Sequence, residues 1–288
     1  MRNTVPTTVP KTAPFTSMPA PNQWRAIDFI SDLHLQAAEP LTVAAWQGYM
    51  GRTSADALFI LGDLFEVWVG DDAVCDTATG PFVAADVPAG FENECADILR
   101  QTALRMPVFF MRGNRDFLAG LALMAQCGCT LLDDPTVLDF GGQHWLLGHG
   151  DALCLADTEY LTFRAMVRSR QWQADFLAKP LAERWAIARL LRSQSETRKQ
   201  SSAMWADVDT DAAITALRNA GASTMIHGHT HRPADHLLAP DLRRMVLSDW
   251  DLAATPPRAE VLRLTIAGAV NDEPQRQVSI SRMAPVNT

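Results

Sequence analysis

A chain of 288 residues, 48% hydrophobic and 20% charged, can bury a sizeable core in one or two domains. Its formal net charge of −8 argues against a general nucleic-acid binder, so no nucleic-acid partner is expected. No apolar run approaches the ~20 residues that span a bilayer. The five cysteines match neither a zinc ribbon nor a disulfide framework and read as reduced thiols of a cytosolic protein.

Residues 1–23 are rich in Pro and Thr and lack the apolar core of a signal peptide, which predicts a disordered extension. Order is expected from Trp24. Residues 26–30 form a short apolar strand that runs into Ser31-Asp32-Leu33-His34. Asp32 and His34 are two apart, so in extended chain both face one side and can converge on one ion. Taken alone, the pair also fits a turn capped by Asp. A helix over 41–50 leads to a second buried strand, 57–61, which ends in Gly62-Asp63-Leu64-Phe65-Glu66. Glycine permits a tight turn that aims Asp63 outward; Glu66 and the Gly70-Asp71-Asp72 run also fit an ordinary loop.

Residues 91–105 have the spacing of an amphipathic helix. Strand 107–111 then ends in Arg112-Gly113-Asn114-Arg115-Asp116. Asn114 offers a neutral carbonyl oxygen to a hard cation, and Arg115 a planar fork to a phosphate. A helix over 118–127 follows. Strands 137–140 and 143–147 flank Gly141-Gly142 as a hairpin, and the second runs into Gly148-His149-Gly150-Asp151. Strand 223–226 precedes His227-Gly228-His229-Thr230-His231. Alone, that stretch fits a solvated histidine-rich turn as well as a pair of ligands.

Five apolar strands thus each end in metal-competent side chains, four of them with glycine, and ligands of α/β sheets gather beyond the carboxyl ends of strands. Later β patterns at 244–250, 260–266 and 277–282 predict a second sheet packed on the first. The donor set is Asp, Asn and His without Cys, which suits Mn²⁺, Fe²⁺ or Zn²⁺. Six or seven such ligands exceed the needs of one ion and point to two.

Between His149 and His227 lies a stretch of different character. Residues 160–200 hold nine Lys/Arg against three Asp/Glu, interleaved with Trp, Phe, Leu and Ile, in helices broken at Pro180. This fits a helical subdomain packed on the core. It also fits a cap with an apolar groove and a basic rim facing anionic lipid.

In this order, Asp32-x-His34, Gly62-Asp63, Gly113-Asn114-Arg115-Asp116, Gly148-His149-Gly150-Asp151 and Gly228-His229-Thr230-His231 resemble the calcineurin-like metallophosphoesterases. With Phe65-Glu66-x-Trp68-x-Gly70-Asp71-Asp72 and Ile226 through Pro233 added, residues 25–252 resemble the members that act on UDP-2,3-diacylglucosamine in lipid A synthesis. The resemblance implies an α/β fold, an α/β/β/α sandwich of two mixed sheets. Its core would be residues 24–151 and 221–284, with a helical cap at 152–220. It implies hydrolysis of a lipid-linked UDP-sugar pyrophosphate at two Mn²⁺ ions, on the cytoplasmic side of the inner membrane, by a peripheral protein touching an anionic membrane surface. No obligate protein partner is expected.

By the same resemblance Asp32, His34 and His231 hold one ion, Asp63 bridges, and Asn114, His149 and His229 hold the other. Asn114, Arg115 and His149 are the catalytic residues. Asn114, Arg115, Asp157, Arg192, Ser195, Lys199 and His229 are the substrate contacts. The open alternatives are a metallophosphoesterase for a soluble substrate and a non-catalytic scaffold of the same fold.

Overall fold

The structure is a computed structural model that describes residues 15–74, 90–201, 206–267 and 277–285, with the backbone alone for 193–201. Its elements in chain order are β1 (Thr16–Pro19), β2 (Ala26–Ile30), α1 (Pro40–Arg52), β3 (Ala57–Leu61), α2 (Phe91–Ala103), β4 (Val108–Met111), α3 (Leu121–Cys127), β5 (Thr130–Leu132), β6 (Thr136–Phe140), β7 (Gln143–Gly148), α4 (Thr158–Val167), α5 (Arg170–Leu177), α6 (Leu181–Ser201), α7 (Thr210–Ala220), β8 (Thr224–His227), β9 (Ala234–Ala239), β10 (Leu242–Val246), β11 (Val261–Ile266) and β12 (Val278–Met283).

The strands form two six-stranded sheets, ordered β1-β6-β7-β8-β10-β9 and β12-β11-β2-β3-β4-β5. Both are mixed. β2, β3, β4 and β5 run parallel with β11 antiparallel to β2, while β7, β8 and β10 run parallel with β6 and β9 antiparallel beside them. Alternation along each strand builds the layers. Ile27, Phe29, Phe59, Leu61, Trp145, Leu147 and Ile226 point into one core between the sheets, where Phe29 stacks on Phe59 at 5.1 Å and Phe59 on Phe109 at 4.7 Å. Ile30, Leu58 and Ile60 point the other way, under α1 and α2, where Trp46, Tyr49 and Leu99 join them. Both faces of these strands are covered, which is why their sequences are continuous apolar runs.

Three expectations change. The later strands do not form a separate sheet: β10 adds to β8 in one sheet, whereas β11 and β12 extend the other beside β2. Residues 16–19, expected within the disordered extension, form the edge strand β1 in register with β6. Three of its four side chains are exposed and carry no hydrophobic pattern, so backbone pairing and the packing of Met18 against the inter-sheet core make the strand. Residues 1–14 of that expectation lie outside the described residues. Finally, α7 falls within the expected cap but packs Ala213 and Leu217 against Leu146 and Met225 on the outer sheet face. It is the outer helix layer of the sandwich, so the cap proper is α4 to α6.

The cap helices start where their sequences say. Asp157 caps α4 by accepting from Tyr160 N at 3.0 Å, Ser169 caps α5, and Pro180 precedes α6. Trp172 and Phe176 of α5 stack at 4.8 Å, and Phe117 of the core meets Trp172 at 6.0 Å.

Candidate metal centre

β2, β3 and β4 of one sheet and β7 and β8 of the other end at the same edge of the sandwich. Backbone bonds lace the loops beyond them: Asp32 N donates to Gly62 O, His34 N to Asp63 O, and Gly228 N to His149 O, at 3.1, 3.1 and 3.0 Å. Buried Asp116 ties two loops further, accepting from Gly113 N at 2.7 Å and Leu64 N at 2.8 Å. The approach is close enough to need glycine. A Cβ on Gly113 would fall on the carboxylate and backbone nitrogen of Asp63.

Two groups of donors result. Ligand atoms of Asp32, His34 and His231 lie within 4.8 Å of one another, as do those of Asp32, Asp63 and His149. The first triad is the one the sequence predicts. Asp32 belongs to both groups here, whereas the resemblance gives the bridge to Asp63. Asn114 Oδ1 lies 2.9 Å from His149 Nε2 and 2.8 Å from His229 Nδ1, which brings these three together as expected. Asp32, Asp63 and His149 are buried, while His34 and His231 keep 18% and 24% of their side chains exposed, so the site opens on their side.

The geometry and chemistry fit cations. His34 Nε2 and His231 Nε2 face each other at 3.1 Å, and Asp32 Oδ1 lies 3.3 Å from the latter. Two imidazole nitrogens at that distance share one proton at most, whereas both can donate to a metal. Burial would lower the His149 pKa, yet the Asp63, Asp32 and Asp151 carboxylates push it up to about 9. Burial likewise opposes a charge on His231, and Asp32 and Asp249 override it and raise that group too. The carboxylates therefore draw positive charge to this point. Burial, helped by the charge on His149, lowers His229 to about 4, which leaves its ring a neutral donor. Among the described residues, the non-glycine positions in the left-handed region are Asp32, His34, Asp63, His229 and His231, with φ from 50° to 70°. Every one is a predicted ligand, and strain of this kind collects at functional sites.

A cavity of about 1070 Å³ runs from this cluster under the cap. Its polar end holds His34, Asp63, Asn114, Arg115, His229 and His231, and its far walls are Phe163, Met166, Trp172, Phe176 and Leu191. Arg115 is anchored through its backbone N, which donates to Asp63 Oδ1 at 2.7 Å. Asp157 and Arg192 line the same cavity, Asp157 while capping α4 and Arg192 while paired with Glu66. Ser195 and Lys199, predicted contacts on α6, lie outside the described side chains. His227 is fully buried and outside both donor groups, and burial and Arg244 push it down to about 3, a structural residue.

Sequence reasoning missed the residues that dock the cap. Asp151 accepts from Tyr160 Oη at 2.5 Å and Arg164 Nε at 2.8 Å, and Arg168 donates to Gly113 O at 2.9 Å. Tyr160 also lies over the His229 ring at 6.0 Å. A signal was present in the basic excess of the cap facing an acidic core, but its pairing depends on how the cap sits.

The calcineurin-like phosphoesterase profile matches residues 26–233. The chain is similar to the UDP-2,3-diacylglucosamine hydrolase of Chromobacterium violaceum, 48% identical over 234 residues, covering 78% of this chain and 90% of that protein. It is 43% identical over 235 residues to the protein of that name from Bordetella pertussis, covering 79% and 87%. To the one from Chromohalobacter salexigens it is 42% identical over 230 residues, covering 77% and 87%. The profile spans all five strand-end motifs, and on that match and these relatives the chain belongs to the calcineurin-like phosphoesterase family, whose dinuclear metal site these donor groups fit.

Proposed function

We propose that this chain hydrolyses the pyrophosphate of UDP-2,3-diacylglucosamine to UMP and 2,3-diacylglucosamine 1-phosphate, as a Mn²⁺-dependent enzyme of lipid A synthesis. The relatives named above carry that substrate in their names. The observation that carries the reading is the single cavity that joins the donor cluster and Arg115 to aromatic and aliphatic cap walls. A substrate with a diphosphate at one end and two acyl chains at the other suits both ends. Each acyl methylene buried there contributes about 0.8 kcal/mol.

Asp32, His34 and His231 would hold one Mn²⁺, and Asp63, His149, Asn114 and His229 the other, with Asp32 or Asp63 between them. When bound, such a pair supplies Lewis-acid charge neutralisation and activates water for in-line displacement. The chain's own residues do the rest. His149 Nδ1 is committed to Leu61 O at 2.9 Å, which leaves Nε2 facing the site. Arg115 lines the cavity, and its guanidinium would stabilise the equatorial phosphoryl oxygens as charge builds on them. Asn114 and His229 orient the same phosphate. The cap excludes water around the acyl chains, and Asp157, Arg192, Ser195 and Lys199 grip the sugar and its phosphate.

The cap also exposes Leu177 and Leu190 and carries a basic excess, which supports a peripheral seat on the anionic cytoplasmic face of the inner membrane. Among the described residues no helix is long and apolar enough to cross a membrane. Hydrolysis in ¹⁸O-labelled water tests the chemistry. Attack at the α-phosphorus of the UDP moiety puts the label in UMP; label in the lipid product would overturn that assignment.

A further inference from the structure

Glu66 is outside both donor groups, yet it touches the metal centre and the cap at once. It is 8% exposed, on the loop after β3. Its Oε2 lies 3.0 Å from Nδ1 of His34, the ring nitrogen opposite the one that faces His231. Its Oε1 pairs with Nε of Arg192 on α6. A carboxylate behind a metal-binding imidazole fixes the ring and raises its donor strength. A cation paired with that carboxylate withdraws part of the effect.

His231 has a similar arrangement. Its Nδ1 is 3.9 Å from Asp249 Oδ2, and Asp249 is held by Arg258 at 2.8 Å. His149 backs onto the Leu61 carbonyl instead. Among the described residues, the His34 chain ends on the cap. The helix that supplies Arg192 is also pinned in its first turn: Arg184, 2% exposed, donates to Val69 O at 2.7 Å and pairs with Asp72. One helix therefore grips both ends of the Glu66–Asp72 loop. Arg184 is its buried anchor, and Arg192, 24% exposed, lines the cavity two turns further along.

We propose that Glu66 is a positioning residue that couples the cap to the metal centre: it orients and strengthens His34, and Arg192, paired with it directly beside the more distant charge of Arg115, modulates how much of its charge reaches that ring. The inference rests on the reading of Asp32, His34 and His231 as ligands. It gives Arg192 two partners in turn. A substrate phosphate that draws Arg192 off Glu66 returns the carboxylate's charge to His34, so anionic substrate and metal reinforce each other's binding.

The sign of the effect separates this from a structural role. Metal-free full-length protein is titrated with Mn²⁺ alone and followed by electron paramagnetic resonance, with thermal melts in parallel. Glu66→Ala should weaken one of the two sites roughly 10- to 100-fold, and Glu66→Gln, which keeps an acceptor and the shape, should weaken it less. Arg192→Met should tighten the same site by roughly threefold to tenfold, because it removes a competing positive charge. Tightening in Arg192→Met with weakening in Glu66→Gln supports the coupling. Unchanged or weaker binding in Arg192→Met, or weakening at both sites alike in Glu66→Gln, overturns it. A wild-type protein that takes up no Mn²⁺ overturns the ligand assignment and this inference with it, whereas normal wild-type uptake with unresponsive variants overturns this inference alone.

Discussion

Asp32, His34, Asp63, His229 and His231 hold backbone conformations that cost a non-glycine residue roughly 1–3 kcal/mol each. The laced loops keep them there, and the return is five side chains aimed at one point. Asp63→Asn or His231→Ala should therefore abolish turnover while shifting the thermal midpoint little; retained UMP release would remove these residues from the centre. Gly113→Ala tests the close approach. The added methyl must displace Asp63, and a shift of that order costs about 10²-fold in rate. Wild-type kcat in that variant would show the loop to be loose. These residues were legible in the sequence because each follows an apolar strand, and Asp63, His229 and His231 also follow a glycine. Tyr160 and the Glu66–Arg192 pair were not, since those contacts are set by the placement of the cap.

At the scale of elements, the strands were legible and their sheets were not. A strand covered on both faces is the same apolar run in either sheet, so sequence alone could not send β10 one way and β11 the other. The edge strands β1, β5 and β9 were missed because they are short or only partly buried. Helix α7 was assigned to the cap because the resemblance placed all of 152–220 there, and no motif between His149 and His227 marks where the chain returns to the sandwich. The cap anchor is testable. Arg184→Ala leaves the Val69 and Lys179 carbonyls without their donor, a loss of about 2–3 kcal/mol. Faster hydrogen exchange confined to α5 and α6 is the expected result; unchanged exchange there would mean the cap is held elsewhere. Trp172→Ser breaks the apolar wall and should raise KM for the lipid substrate at least ~10-fold, as several methylenes lose their cover. Its effect on a soluble diester such as bis(p-nitrophenyl) phosphate should be far smaller. Equal effects on both would place Trp172 in general folding.

For the whole molecule, an acidic chain carries its basic excess in one place, the cap that closes over the cavity. That asymmetry predicts sedimentation with vesicles containing anionic phospholipid, weakening between low and physiological salt as the charges are screened. Binding indifferent to lipid charge would leave the membrane seat without its electrostatic part. The sandwich beneath is a scaffold, and truncating its centre by Phe59→Ala should cost about 3–5 kcal/mol by denaturant unfolding.

The central claim is that this metal centre and this cap act on one lipid-linked pyrophosphate. UMP release from UDP-2,3-diacylglucosamine, measured on metal-stripped protein with and without added Mn²⁺, tests it most directly. The account predicts UMP formation that depends on Mn²⁺ and is absent in Asp63→Asn. No UMP from that substrate, by protein that binds Mn²⁺ and still cleaves bis(p-nitrophenyl) phosphate, would contradict it.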